Sequence, residues 1–154
     1  GTCCVLMAVE PLVGHRVVKV TEQRTKKDYA EFMKELVLHY PDAEKIVLVQ
    51  DNLNTHNPSS FYETFPAQEA FELSQRFETV YTPKRASWLN MAEIELSALS
   101  KQCLDRRISQ TEVLSKEVHS WAHKRNKAKV TLNWQFSKNK ARDKFIRFYD
   151  TIRN

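Results

Sequence analysis

The chain has 154 residues, 42% of them hydrophobic, only two glycines and a formal net charge of +5, which predicts one folded domain and excludes a disordered or linker-like chain. Its three cysteines offer neither a disulfide framework nor metal-ligand spacing, so a reducing compartment is expected. No apolar run approaches the roughly 20 residues that cross a bilayer, and the first residues lack a signal-peptide pattern, so no membrane partner is expected.

The first part of the chain predicts a hairpin, a helix and a strand. Residues 2–9 and 15–21 are rich in β-forming side chains and are separated by proline and glycine, which predicts an antiparallel hairpin. A helix then begins at the N-cap Thr25, with Asp28 three residues later, and continues with an amphipathic pattern. The strand 45–50 follows. Because its apolar run shows no alternation, we expect it to be covered on both faces.

The middle of the chain adds helices and one more strand. Asn57-Pro58 begins a short helix, and a second helical segment covers 67–76. A strand at 77–81 leads through the loop 82–88 into a long helix predicted at 91–107. Strand pair, helix, strand, helices, strand and helix form a mixed α/β order.

The last third of the chain differs in charge. Residues 1–100 contain 10 Lys and Arg against 14 Asp and Glu, whereas residues 101–154 contain 14 against 5. Ser109 and Glu112 resemble a capping box, and we expect residues 109–154 to form a helical, basic C-terminal extension of the same domain. The asymmetry favours a polyanionic partner, although well-solvated surface helices would have the same composition.

Two carboxylates are predicted where open α/β folds keep their sites. Asp51 ends a strand at the edge of a core, where charge is costly unless it is compensated. Glu93 lies in the helix that follows the neighbouring strand, so both carboxylates can converge at the carboxyl edge of the sheet. Such carboxylates bind hard cations such as Mg²⁺, and a metal pair assists in-line displacement at a phosphodiester. Glu95 lies about 200° around the helix from Glu93 and is expected to point elsewhere.

Three strings carry a resemblance to a known family. DNLNTH and YTPKRASWLNMAEIE contain D-N-x3-H, Y-x-P and L-N-x-x-E, and RN followed by WQFSKNKAR lies in the last third of the chain. On these motifs the sequence resembles the DDE transposases of the mariner-like superfamily, in its bacterial insertion-sequence branch. The resemblance implies a ribonuclease-H-like fold over residues 1–154, a mixed sheet flanked by helices. It also implies Asp51 and Glu93 as catalytic residues that bind Mg²⁺ or Mn²⁺, with DNA cleavage at transposon ends and strand transfer into target DNA.

Further side chains are interpreted as supporting residues or as phosphate contacts. The supporting residues are Asn52, His56 and Asn90. Asn90 is equally placed to cap the helix that carries Glu93. The phosphate contacts, which position a duplex without reading its sequence, are Lys84, Arg85, Arg106 and Arg107. The expected partners are transposon ends and target duplex, bound by a homodimer in the bacterial cytoplasm, at the nucleoid.

One part of the family pattern has no counterpart. The first catalytic aspartate of the family lies on a strand before the segment that matches Gly1, and Asp28 and Asp42 are poor substitutes because they fall at a helix start and in a turn. We therefore interpret the chain as an N-terminally truncated catalytic domain, with the first strand missing and no activity as given. Two alternatives stay open. A ribonuclease-H-like nuclease or junction resolvase would share the carboxylates but not the WLNMAEIE loop, and a non-catalytic DNA-binding or regulatory fragment is favoured by the missing aspartate and the basic tail.

Overall fold

The computed structural model describes residues 2–51, 53–83 and 90–133, together with residue 139. The α/β order predicted from the sequence is confirmed over this part of the chain. The elements in chain order are β1 (Cys4–Glu10), β2 (His15–Thr21), α1 (Lys26–His39), β3 (Ile46–Gln50), α2 (Ser59–Thr64), α3 (Ala67–Gln75), β4 (Phe77–Tyr81), α4 (Ala92–Gln102) and α5 (Thr111–Lys127). None of these helices combines the length and apolar character needed to cross a membrane.

The predicted hairpin is confirmed. Strand β1 pairs antiparallel with β2, in a register that runs from Cys4 opposite Thr21 to Glu10 opposite His15. The turn between them depends on Gly14, which has a φ of +77°. A Cβ at this position would lie only 2.6 Å from the carbonyl carbon of Lys129, so glycine is needed both for the backbone angle and for the close approach.

Helix α1 begins as its sequence predicts. Thr25 Oγ1 accepts from Asp28 N at 3.1 Å, and Asp28 Oδ2 accepts from Thr25 N at 3.0 Å. This reciprocal capping box satisfies two amides that a helix start otherwise leaves without partners. The helix then buries Tyr29, Phe32 and Leu36 against the sheet.

Strand β3 pairs in parallel with β4, from Ile46 opposite Phe77 to Gln50 opposite Tyr81. The expectation that β3 is covered on both faces is wrong for the part of the chain that the structure describes. Val47 is 62% exposed and Val49 is 49% exposed, whereas Leu48 packs against the core. The strand alternates between half-buried or buried positions and exposed ones, but its sequence conceals the alternation because the outward residues are also apolar.

The helices form two layers around the hairpin. One apolar cluster joins Leu6 and Val17 of the hairpin to α1, α2 and α3, and Leu48 and Phe77 of the second sheet pack against it. A second cluster joins the opposite face of the hairpin to α4 and α5. Within the described residues the strands form two separate two-stranded sheets, β1–β2 and β3–β4, and both pack on the layer built by α1.

The C-terminal helices differ from prediction at their ends. Helix α4 ends at Gln102 rather than at 107, because Leu104 N donates to Leu99 O at 3.2 Å in the 6→1 pattern of helix ends. Helix α5 begins at Thr111 after the N-cap Gln110, which makes no side-chain capping bond, so the predicted box at Ser109 is wrong. Beyond residue 133 the expected helical extension, apart from residue 139, lies outside the described residues.

Candidate active site

Asp51 lies directly after the last residue of β3, at the carboxyl end of the strand. Its side chain is 36% exposed, and Oδ1 lies 3.2 Å from Nδ1 of His56, whose side chain is only 16% exposed. Burial lowers the pKa of His56, and the hydrogen bond to Asp51 partly opposes this shift. The imidazole is therefore neutral near pH 7, and Nδ1–H donates to the carboxylate. Among the described residues, nothing hydrogen-bonds to Oδ2 of Asp51, so one carboxylate oxygen is left to bind a ligand.

A short turn brings His56 back to Asp51. His56 N donates to Leu53 O at 2.9 Å, and Asn57 Nδ2 donates to Asn54 O at 2.7 Å. Asn57 Oδ1 then accepts from Ser59 N at 3.0 Å, which satisfies an amide at the start of α2. The LNTHN string thus folds as a turn that ends in a helix start, and the aspartate and histidine of the motif meet because of it.

The His56 ring packs against α1. It stacks on Tyr29, with ring centroids 4.8 Å apart and an interplanar angle of 19°. Tyr29 Oη donates to Gln50 Oε1 at 2.9 Å, and Gln50 Nε2 donates to His56 O at 2.8 Å. Burial raises the pKa of Tyr29 to about 12, so its hydroxyl stays a donor at physiological pH. Sequence reasoning missed Tyr29 and Gln50, although a tyrosine on a core face signals a hydroxyl that needs a partner.

Glu93 lies in the first turn of α4 and is exposed. Asn90 Oδ1 accepts from Ala92 N at 3.1 Å, and Asn90 O accepts from Glu93 N at 3.0 Å. Asn90 therefore satisfies amides at the helix start, although it lies one residue before the N-cap Met91 rather than at the cap itself. Glu95 is fully buried and contacts Arg16 and Arg125. The two glutamates point in different directions, in agreement with the helical geometry.

The family model for the DDE superfamily endonucleases matches residues 1–115. The chain belongs to this family. The match runs from β1 into the first turn of α5, and it includes both Asp51 and Glu93. The searches of curated proteins and of solved structures found no match.

A DDE endonuclease acts on DNA and typically uses divalent metal ions. The donors of Asp51 and Glu93 are oxygens, which fit a hard cation such as Mg²⁺ or Mn²⁺. Within the described residues no group of three or more His, Cys, Asp or Glu side chains is placed to hold an ion. The donor chemistry of Asp51 and Glu93 therefore fits the metals of the family.

The basic residues expected to contact DNA are placed only in part. Arg106 and Arg107 follow α4 and are exposed, and Nη2 of Arg106 lies 2.7 Å from Oε1 of Glu117 on α5. Three predicted residues of the endonuclease lie outside the described part of the chain: Asn52, Lys84 and Arg85. Their expected roles stay predictions.

Proposed function

We propose that the chain is the catalytic domain of a mariner-like transposase of the bacterial insertion-sequence branch. Such a protein cleaves DNA at transposon ends and joins the freed 3′-hydroxyl to target DNA, and it acts as a homodimer on DNA in the bacterial cytoplasm. The observation that carries the proposal is the placement of Asp51, part-exposed at the carboxyl end of β3 and held by the histidine of its own motif. The motif strings around Asp51 and Glu93 support a transposase within the endonuclease family.

In this proposal Asp51 and Glu93 bind the metal, and His56 and Tyr29 fix the position of the Asp51 side chain. Divalent ions bound there would activate the attacking hydroxyl and stabilise the leaving oxygen of the phosphodiester. His56 fixes one oxygen of Asp51 with its Nδ1–H, and the stacked Tyr29 ring keeps the imidazole in place. Exposed Glu93 faces solvent, where a DNA phosphate can approach. The proposed chemistry needs no serine or cysteine nucleophile, because water and a 3′-hydroxyl attack in turn.

We further propose that a strand upstream of Gly1 completes both the sheet and the site. Sheets β1–β2 and β3–β4 share the helical layer of α1 but are not hydrogen-bonded to each other within the described residues. A strand between them would join them into the mixed sheet expected of a ribonuclease-H-like fold. An aspartate on it would add the carboxylate that a two-metal site needs beyond Asp51 and Glu93.

Strand joining tests the proposal. A labelled transposon-end duplex with a free 3′-hydroxyl is incubated with supercoiled plasmid, Mg²⁺ and the natural protein, including its sequence upstream of Gly1. We expect label to be joined covalently to the plasmid. Cleavage without joining would instead indicate a nuclease or junction resolvase, and DNA binding with neither reaction would indicate a non-catalytic, regulatory role.

The basic segment after α4 is expected to bind duplex DNA without sequence preference. Replacing both Arg106 and Arg107 by Gln should lower the affinity and reduce the slope of log K against log salt by about 0.9 for each DNA phosphate that the variant no longer neutralises. Fluorescence anisotropy over a salt series measures both quantities. The control Lys27→Gln removes an exposed charge from α1, on the other side of the hairpin, and should change neither. An unchanged slope in the double variant would contradict the electrostatic role.

A further inference from the structure

A buried ionic cluster of three side chains, none of them used by the proposed chemistry, joins β2, α4 and α5. Glu95 of α4 lies between Arg16 of β2 and Arg125 of α5. Arg125 donates from Nε to Oε1 at 2.6 Å and from Nη2 to Oε2 at 3.0 Å, which is a bidentate contact. Nε of Arg16 lies 3.0 Å from Oε1 but has no well-aligned hydrogen bond within the described residues. This second contact is therefore an ion pair rather than a hydrogen bond.

Asn126, the neighbour of Arg125, fixes α5 to the hairpin. Arg16 N donates to Asn126 Oδ1 at 2.8 Å, and Asn126 Nδ2 donates to Arg16 O at 2.9 Å. One side-chain amide thus pairs both backbone groups of a β2 residue, as a neighbouring strand would. Arg16 Nη2 also donates to Val130 O, just after α5, at 2.5 Å. The RN string of the sequence therefore holds α5 in register with β2.

The first turn of α4 depends on this cluster for its orientation. The buried residues of the helix are Glu95 and Leu99. Leu99 packs in the apolar cluster with Val18 and Val118, one turn beyond Glu95. The turn that carries Glu93 is thus anchored mainly by the Glu95 carboxylate, and a bidentate arginine fixes the direction of that carboxylate. Because Glu93 lies about 200° around the helix from Glu95, holding Glu95 inward turns Glu93 outward.

The composition of the cluster argues for orientation rather than for stability. Two guanidinium groups surround one carboxylate, which leaves an excess positive charge in a largely buried place. Buried ion pairs often contribute no more stability than apolar residues of similar volume would, and their best-attested use is to specify one arrangement among several. An apolar side chain at position 95 would fill the same space without fixing the rotation of the helix.

We propose that Glu95, held by Arg16 and Arg125, is the positioning residue that sets Glu93 at the metal site. The inference rests on the proposed role of Glu93 as a metal ligand. It assigns a function to Glu95 and to the RN string, Arg125 and Asn126, none of which takes part in the proposed reaction itself.

A double-mutant cycle on Mn²⁺ affinity tests this role. The free-ion electron paramagnetic resonance signal gives the affinity of the natural protein, of Glu93→Gln, of Glu95→Gln and of the double variant. We expect Glu95→Gln to weaken Mn²⁺ binding by about 10- to 100-fold, the range for residues that orient metal ligands, and Glu93→Gln, which removes the proposed ligand itself, to weaken it at least as much. The double variant should be no weaker than the weaker single variant, because both changes remove the same interaction, whereas independent effects would multiply.

Two further variants distinguish a specific loss of Mn²⁺ affinity from a general loss of folding. Leu99→Ala opens a cavity on the same helix, so it should lower the urea midpoint yet leave Mn²⁺ affinity and its dependence on Glu93 unchanged. Arg125→Lys keeps the charge but loses the bidentate fork. If circular dichroism shows that Glu95→Gln does not fold, the cycle is run between Arg125→Lys and Glu93→Gln, with the same expected non-additivity.

The outcomes separate this inference from the proposed function. If Glu93→Gln leaves Mn²⁺ affinity unchanged, the proposed metal site is wrong and the positioning role is wrong with it. If Glu93→Gln weakens binding while Glu95→Gln and Arg125→Lys have no effect, or an effect that multiplies with that of Glu93→Gln, the positioning role alone is overturned.

Discussion

Replacing Asp51 by Asn in the natural protein is expected to reduce metal-dependent strand cleavage by about 1,000-fold or more, since it removes charge that the transition state requires at the metal site. The fold should survive. The side chain is part-exposed, and an asparagine oxygen can still accept from Nδ1 of His56. Quantitative cleavage of a labelled transposon-end duplex in Mg²⁺, with DNA affinity measured in parallel, separates lost chemistry from lost binding.

The same loss is expected for Glu93→Gln, which removes a carboxylate from an exposed position at the start of α4. Asp42→Asn is the matched control, because it removes one exposed carboxylate from a turn and should retain full cleavage. Cleavage by Asp51→Asn within tenfold of the natural protein would exclude Asp51 as a metal ligand and would remove the main support for the proposed function.

Local patterns in the sequence predicted the elements near the site well. The Thr25 and Asp28 pair predicted the start of α1, and the short strand predicted at 77–81 is β4 with its observed bounds. These features depend on residues a few positions apart, so the sequence contains their physical cause directly. The capping box predicted at Ser109 was wrong. Its residue types suit a helix start, but α5 begins at Thr111 and Gln110 lies at the N-cap instead.

The supports of the site could not be predicted, because they join distant segments. Tyr29 and Gln50 lie on different elements and meet at His56 only after α1 packs under the loop. The contact between Arg16 and Asn126 spans 110 positions. Helical periodicity predicted only that Glu95 points away from Glu93, and no local pattern indicates that Arg16 and Arg125 contact it. The exposed valines of β3 illustrate the same limit, since apolar character alone does not tell which face is covered.

Residues 1–154 alone are expected to bind DNA, and to bind Mn²⁺ weakly, yet to show no strand cleavage. Asp51 and Glu93 can hold one ion, but a two-metal site normally needs a further carboxylate to fix the second ion opposite the leaving oxygen. Two of the candidates within the described residues are engaged elsewhere. Asp28 closes the capping box of α1, and Glu95 is held by two arginines.

Adding the natural upstream sequence should restore cleavage, and Asp51→Ala or Glu93→Ala should remove it again. Nicking of supercoiled plasmid in Mg²⁺ or Mn²⁺, compared between the two lengths of chain, measures this. Metal-dependent nicking by residues 1–154 that Asp51→Ala abolishes would contradict the expectation. It would require a third carboxylate from within these residues, and Asp28 is the first to test. To bind a metal ion, the Asp28 side chain would have to release Thr25, which would open the start of α1.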